Sequence, residues 1–475
     1  MKRYKLLLNG TWQDSENHLL VVDPASEKPF AEVAVVDRPE VKKAIEDSDA
    51  AFRAWRSLTA KERGDYLREI AAQLDRRADE MAEIIVRENG KPLAQAKGEV
   101  AMSIDHLLWF AEEGRRAYGR VVPHQAQGKR HMVMKQPVGV VGAIAPWNFP
   151  LVLAVRKVAP ALVAGCTVLL KPASATPLSA CLLAECIDAA GLPAGVFQLV
   201  IGSAPEIGAE MLENPLCRKI SFTGSTSVGR SLIEGAAQTC TGLSLELGGN
   251  APVIVFEDAD FEQALDGVMI TKFRNNGQSC IASNRIYIQR SVFDKYQEAL
   301  CSRIKELTVG PGLTDRVDVG ALIDRKALDT ALAFIEDATA GGAQVLTGGV
   351  RSGETGSFLT PTLLTEIPPG AKCSQEEIFA PVAALYVFDT EEEVIERANE
   401  TEYGLAAYVF TSDLNRAFRL SEALEAGTIG VNDPVPSTSN CPFGGFKQSG
   451  WGRELGSEGI DAYLETKHIS IAGIE

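Results

Sequence analysis

From Met134 onward the chain repeats one texture, a short apolar run rich in β-branched residues followed by a helical stretch. "GVVGAIAP" leads to "VRKVAPALVAG", "TVLLKPA" to "SACLLAECIDAAG", and "RKISFTG" to "TSVGRSLIEGAA", with "VFQLVIG" between. Strands alternating with helices specify parallel sheets, since each crossover helix covers an apolar sheet face. A second series begins after Gly249: "APVIVF", a helix opened by Asp260 with Gln263 as capping partner, a polar loop holding Cys280, the strand "RIYIQR", and further alternation to Asn432. The expected fold is α/β, with two doubly wound domains in series; 475 residues at roughly 100–200 per domain agree.

Before Met134 helices dominate. "PEVKKAIEDSDAAFRAWRSL" sets Val41, Ile45, Ser48, Phe52 and Trp55 at helical spacing, and "TAKERGDYLREIAAQL" opens with a Thr59/Glu62 capping box and runs on to the stop signals Gly90 and Pro92. Two pieces fit neither series, "GRVVPHQAQGKRHMVMKQ" and "DAYLETKHISIAG". They read as detached strands, whose open edges pair with another subunit, so a homo-oligomer is expected.

Several function classes are excluded early. With 47 Lys and Arg against 63 Asp and Glu, the net charge of -16 repels nucleic acid and anionic membranes. The uncharged run Val138 to Val155 reaches the length of a membrane span, but Pro146, Asn148 and Pro150 break its middle, so it reads as strand, loop and helix start. The start has only Leu6 to Leu8 as an apolar run, too short for a secretion signal, and nine cysteines without C-x-x-C spacing read as reduced thiols. A cytoplasmic protein is expected. Five scattered histidines give no metal motif, and no G-x-S-x-G elbow suggests a serine triad.

Four places carry possible chemistry. "FTGSTSVGRS" has P-loop glycine spacing at Gly224 and Gly229 with Arg230 in place of lysine, and reads either as a tight turn or as a phosphate contact at Ser225. Lys171 ends a strand, where α/β sheets bind ligands. Glu246 stands between Leu245 and Leu247, where burial raises a carboxyl toward general-base range unless it is ion-paired. Cys280 lies among Asn, Gly, Gln and Ser, unlike Cys166, Cys181 and Cys186 in apolar texture, and is the thiol best placed to react.

The motifs "APWNFP", "KPAS", "FTGS", "LELGGNAP", "NNGQSC", "EEIFAP" and "PFGGFKQSGWGRE" occur in the order seen in the aldehyde dehydrogenase superfamily, which the chain resembles over nearly its whole length. Through "VRKVAPAL", "TKFRNNGQSC" and "CPFGGFKQSG" it most resembles the succinate-semialdehyde dehydrogenases. The resemblance implies a Rossmann-like cofactor domain at 1–116 and 138–248, a catalytic domain at 249–448, and a small β extension for oligomerisation at 117–137 and 449–475.

It implies Cys280 as nucleophile, Asn148 as oxyanion donor with the Cys280 N–H, and Glu246 as the base that activates water. On the cofactor side it implies Lys171 and Ser174 at the adenosine ribose, Gly224 and Ser225 at the pyrophosphate, and Trp147, Leu247, Glu377 and Phe379 along the rest of a nicotinamide dinucleotide. Ser174 replaces the glutamate of many NAD-using relatives, so it no longer repels a 2′-phosphate; NADP is expected ahead of NAD. Arg156 and Arg274, with Ser437 or alternatively Thr438, imply a small anionic aldehyde as substrate. Ala380 departs from the usual glycine of E-I-F-G-P, and Ala282 leaves Cys280 without a thiol two residues on. Two rival readings stand beside succinate semialdehyde: another anionic aldehyde, such as glutarate semialdehyde or a sulfonated one, and a cofactor-free hydrolase using Cys280, Glu246 and Lys171.

Overall fold

The computed structural model describes residues 1–473; Ile474 and Glu475, which close the 449–475 segment, lie outside the described residues. After five short strands between Lys2 and Ala34, four helices follow: α1 (Arg38–Trp55), α2 (Ala60–Arg76), α3 (Ala78–Asn89) and α4 (Leu93–Glu113). Reciprocal capping boxes start α1 at Asp37/Glu40 and α2 at Thr59/Glu62. The second helical stretch is not continuous to Gly90. It breaks at Arg77, whose side chain is held by Glu80 at 2.9 Å and Glu185 at 2.7 Å, and α3 then ends on left-handed Gly90.

The Val138 to Val155 run forms the strand Val140–Ile144, a loop, and the start of α5 (Val152–Ala164), a helix buried along its whole length. The strand sits inside a six-stranded sheet in the order Phe197–Leu199, Thr167–Lys171, Val140–Ile144, Cys217–Thr223, Gly242–Glu246, Gly450–Trp451. All neighbours are parallel except the last pair. From Val140–Ile144 the chain builds outward on one side, then returns to build on the other. The crevice between Val140–Ile144 and Cys217–Thr223 is thus a topological switch point, where open α/β sheets bind ligands.

A seven-stranded sheet follows, in the order Gln344–Thr347, Thr362–Thr365, Val382–Phe388, Ser283–Gln289, Ala251–Val255, Ala406–Phe410, Thr428–Val431, antiparallel only at its first pair. The chain passes from Glu246 through Gly248 and Gly249 straight into Ala251–Val255, so carboxyl ends of the first sheet face amino ends of the second. A Cβ on Gly249 would lie 2.4 Å from the Cys280 carbonyl oxygen; only glycine allows that approach.

The two outlying pieces form their own sheet. Leu464–Ala472 pairs antiparallel along the whole of Lys129–Pro137, which also pairs Arg120–Val122. Within 449–475, however, Gly450–Trp451 belongs elsewhere, covering the edge of the first sheet beside Leu245 and Glu246. Among the described residues no helix is long and apolar enough to cross a membrane.

Candidate active site

Cys280 stands where two cavities meet, and among the described residues it alone lines both. One is a cleft of about 200 Å³ bounded by Trp147, Asn148, Gly224, Ser225, Glu246, Leu247, Glu377 and Phe379. The other is a narrow, mostly apolar space of about 40 Å³ bounded by Phe149, Val152, Arg156, Arg274, Ser437 and Phe443. Cys280 reaches this junction because the chain before it turns sharply: Asn275, Asn276 and Gly277 all have φ between 56° and 71°. Asparagine and glycine are the residues that tolerate this conformation. The Asn276 side chain is then tied to Ala321 O at 2.9 Å and Gly320 N at 2.7 Å.

Burial pushes the Cys280 thiol well above its ordinary range, and the carboxyls of Glu246 and Glu377 add to this. The resting thiol is therefore protonated and needs a base. Glu246, at the end of its strand and 3 % exposed, has both oxygens without a hydrogen-bond partner. Burial first, then the charge of Glu454, raises its pKa to about 7. A carboxyl so tuned can take a proton near neutrality. Asn148 is buried nearby and donates one amide N–H to Gln278 O at 3.2 Å; a carboxamide has a second N–H to offer.

The cleft suits a dinucleotide. Gly224 and Ser225 form the strand-to-helix turn, and Ser225 caps the helix Thr226–Ala236, whose N-terminus attracts an anion. Arg230 points away to Glu402 at 3.2 Å and is no substitute for a P-loop lysine. Leu247 packs over Gly229. Lys171, paired in register with Ile144, is buried at its strand end, and burial lowers its pKa to about 8. It and exposed Ser174 stand beyond the cleft's lining, on the adjacent strand end. At the other end Glu377 accepts from Gly249 N–H at 3.2 Å, and burial raises it to about 8. Phe379, held at φ 51°, meets Trp147 edge-on at 5.4 Å; a bulky residue in this region is strained.

On the other side, Arg156 Nη2 donates to Ser437 Oγ at 3.1 Å while its guanidinium stacks 4.9 Å from Phe443. Arg274 ends the helix Phe261–Phe273 and lies 5.8 Å from the Phe149 ring. Arg156 Nε has no partner, and neither arginine forms an ion pair among the described residues. Thr438 turns its hydroxyl to Asn440 at 2.8 Å and does not line this cavity, whereas Ser437 does, as does Ser279 beside Cys280.

Sequence reasoning missed Lys157 and Glu454, an ion pair behind Glu246 in which Lys157 is wholly buried and Glu454 8 % exposed; Lys157 Nζ also donates to Thr223 Oγ1 at 2.6 Å. A lysine inside the apolar "VRKVAPAL" was the available signal; its partner, 297 positions away, was not legible.

The sequence model of the aldehyde dehydrogenase family matches residues 12–469. The NADP(+) succinate-semialdehyde dehydrogenase GabD of Escherichia coli is 47% identical over 471 residues, 99% of this chain and 98% of that protein. The glutarate-semialdehyde dehydrogenase of Pseudomonas putida is 47% identical over 472 residues, again 99% and 98%. An E. coli NADP-dependent enzyme of known crystal structure superposes with a TM-score of 0.98 at 47% identity, over 99% of this chain and 98% of that one.

Proposed function

The chain belongs to the aldehyde dehydrogenase family, and from that premise we propose that its substrate is a small aldehyde bearing a carboxylate, succinate semialdehyde before others, oxidised to the acid with NADP ahead of NAD. The carrying observation is the pair of guanidiniums, Arg156 and Arg274, left without ion-pair partners in an apolar cavity that ends on Cys280. Buried cations of this kind call for an anion, and a carboxylate matches their fork geometry.

In this reading Glu246 takes the Cys280 proton and the thiolate attacks the aldehyde carbon. Asn148 Nδ2 and the Cys280 N–H hold the resulting oxyanion. A nicotinamide dinucleotide in the cleft supplies the hydride acceptor. Glu246 releases the thiol proton to solvent, as a carboxyl with pKa about 7 does near neutral pH, and as a carboxylate it deprotonates the water that hydrolyses the thioester. Ser225 and its helix N-terminus serve a phosphate, Lys171 and Ser174 the ribose end, and Glu377, Phe379, Leu247 and Trp147 the remainder. NADP preference is supported by a hydroxyl at Ser174 where a carboxylate would repel a 2′-phosphate, and by the name of the E. coli relative. The hydrolase reading fails because Lys171 does not line the cleft with Cys280 and Glu246.

A longer semialdehyde is the second reading, since guanidiniums recognise charge rather than chain length, and the P. putida relative named for glutarate semialdehyde is equally similar. A homo-oligomer, dimer or tetramer, in the cytoplasm completes the proposal. Its support is a three-stranded sheet with Val121 (72 % exposed), Met132, Met134 and Ile471 uncovered, and nine cysteines all free. Reduced-cofactor absorbance across succinate, glutarate and sulfonated semialdehydes and neutral aldehydes, each with NADP and NAD, tests the reading. Equal kcat/KM for neutral and anionic aldehydes would refute it.

A further inference from the structure

Asn148 is gripped from behind by residues remote in sequence. Its backbone carbonyl accepts from Lys91 Nζ at 2.8 Å, Asn275 Nδ2 at 3.0 Å and Asn89 Nδ2 at 3.4 Å. Lys91 is wholly buried, and its ammonium pairs with Glu99 Oε2 at 2.6 Å above the Phe149 ring. The other oxygen of Glu99 accepts the N–H groups of Leu151 and Val152 at 3.0 and 3.2 Å. These belong to the start of α5, whose N-cap Leu151 has no capping side chain. Helix N-terminal N–H groups need an acceptor from elsewhere, and Glu99 provides it.

One ion pair thus holds both ends of the segment 148–152, a donor on the Asn148 carbonyl and an acceptor on the helix that carries Arg156. The loop bearing Lys91 is itself wedged. A Cβ on Gly312 would sit 2.2 Å from the Lys91 carbonyl oxygen, and one on Gly320 would sit 1.9 Å from that of Gly90. Leu93 N donates to Gly312 O at 2.9 Å, and Asn275 N to Gln95 Oε1 at 2.6 Å, so the first turn of α4, which follows that loop, touches the turn leading to Cys280. A well-packed apolar pair would avoid the desolvation of two buried charges, but could not supply a donor at one end and an acceptor at the other.

We infer that Lys91 and Glu99 are positioning residues, an ion pair that orients Asn148 toward the oxyanion at Cys280 and seats the start of the Arg156 helix. The inference rests on the reading of Asn148 as oxyanion donor.

The test measures kcat and KM for succinate semialdehyde in the full chain carrying Lys91→Met, or Lys91→Met with Glu99→Gln, each with Asn148 intact and with Asn148→Ala. The double change removes both charges and keeps the comparison open should Lys91→Met alone leave Glu99 uncompensated and unfold the protein. Alkylation of Cys280 by iodoacetamide, which forms no oxyanion, is followed alongside. Expected with Asn148 present is a kcat loss on the order of 10- to 100-fold, while alkylation changes by less than about threefold. In the Asn148→Ala background the same changes add less than about threefold, because the group they act through is gone. A full loss repeated in that background, or an unchanged kcat in the folded variants, overturns the inference and leaves the Asn148 reading standing. An unchanged kcat in Asn148→Ala alone removes both.

Discussion

Arg156 donates to Ser437 Oγ across 3.1 Å, yet among the described residues no carboxylate answers its charge or that of Arg274. A hydroxyl orients a guanidinium without neutralising it. Arg156→Ala and Arg274→Ala should each raise KM for anionic semialdehydes by on the order of 10- to 100-fold, matching about 2 kcal/mol per charge-assisted contact. Neutral aldehydes should be affected less than about threefold on the same scale. Steady-state kinetics on both aldehyde types checks this, and equal effects on the two would sink the carboxylate clamp.

Cys280→Ala should abolish aldehyde oxidation by at least on the order of 10³-fold, since no second thiol stands two residues on and the attack has no substitute nucleophile. Fluorescence titration with NADP should still saturate, because the cleft's remaining lining is untouched.

Glu246 gives a pH prediction with a defined sign. Its folded pKa, about 7, lies above the ordinary 4.5, so the fold favours the protonated form. That contribution is fully present below about 4.5 and is lost as pH rises through 7. Glu246→Gln should therefore be more stable than the parent at pH 8, by roughly 3 kcal/mol, with the gap shrinking toward pH 5. The same variant should lower kcat by on the order of 10²-fold and lose the rise in kcat through pH 7. Calorimetry and a pH–rate profile measure the two.

Ser174→Glu should reverse cofactor choice. A carboxylate there repels a 2′-phosphate and accepts from a 2′-hydroxyl, so kcat/KM for NADP should fall at least tenfold, on the order of 1–2 kcal/mol, while NAD holds or improves. Parallel kinetics with both cofactors decides it.

Val121→Lys together with Met132→Lys should weaken assembly, as both exposed side chains lie on the three-stranded sheet. Light scattering should report a smaller mass than for the parent; an unchanged mass would remove this sheet from the interface.

Much of this molecule was readable from local pattern. Strand and helix alternation, the Thr59/Glu62 box and the interruption at Pro146 to Pro150 each depend on residues a few positions apart, and each has its counterpart in the structure. Ordered motifs likewise pointed to Asn148, Glu246 and Cys280, which the fold brings to one cleft. The hydroxyl at Ser437 or Thr438 stayed ambiguous until the contact of Thr438 with Asn440 removed it from the cavity. The break at Arg77 was also hidden, and Glu185, which pairs with the Arg77 side chain, lies on another helix.

By itself, then, the sequence determined the α/β class and the kind of chemistry, and singled out Cys280 as the thiol to which we assign it, since side-chain periodicity and residue type carry those over short spans. Only the tertiary structure decided that Cys280 sits at the junction of two cavities, that Glu246 is buried without a partner, and that Lys91 with Glu99 and Lys157 with Glu454 stand behind the site. The reason is physical. A buried charge needs a partner within hydrogen-bond reach in space, and chain folding, not spacing along the chain, chooses which residue that is.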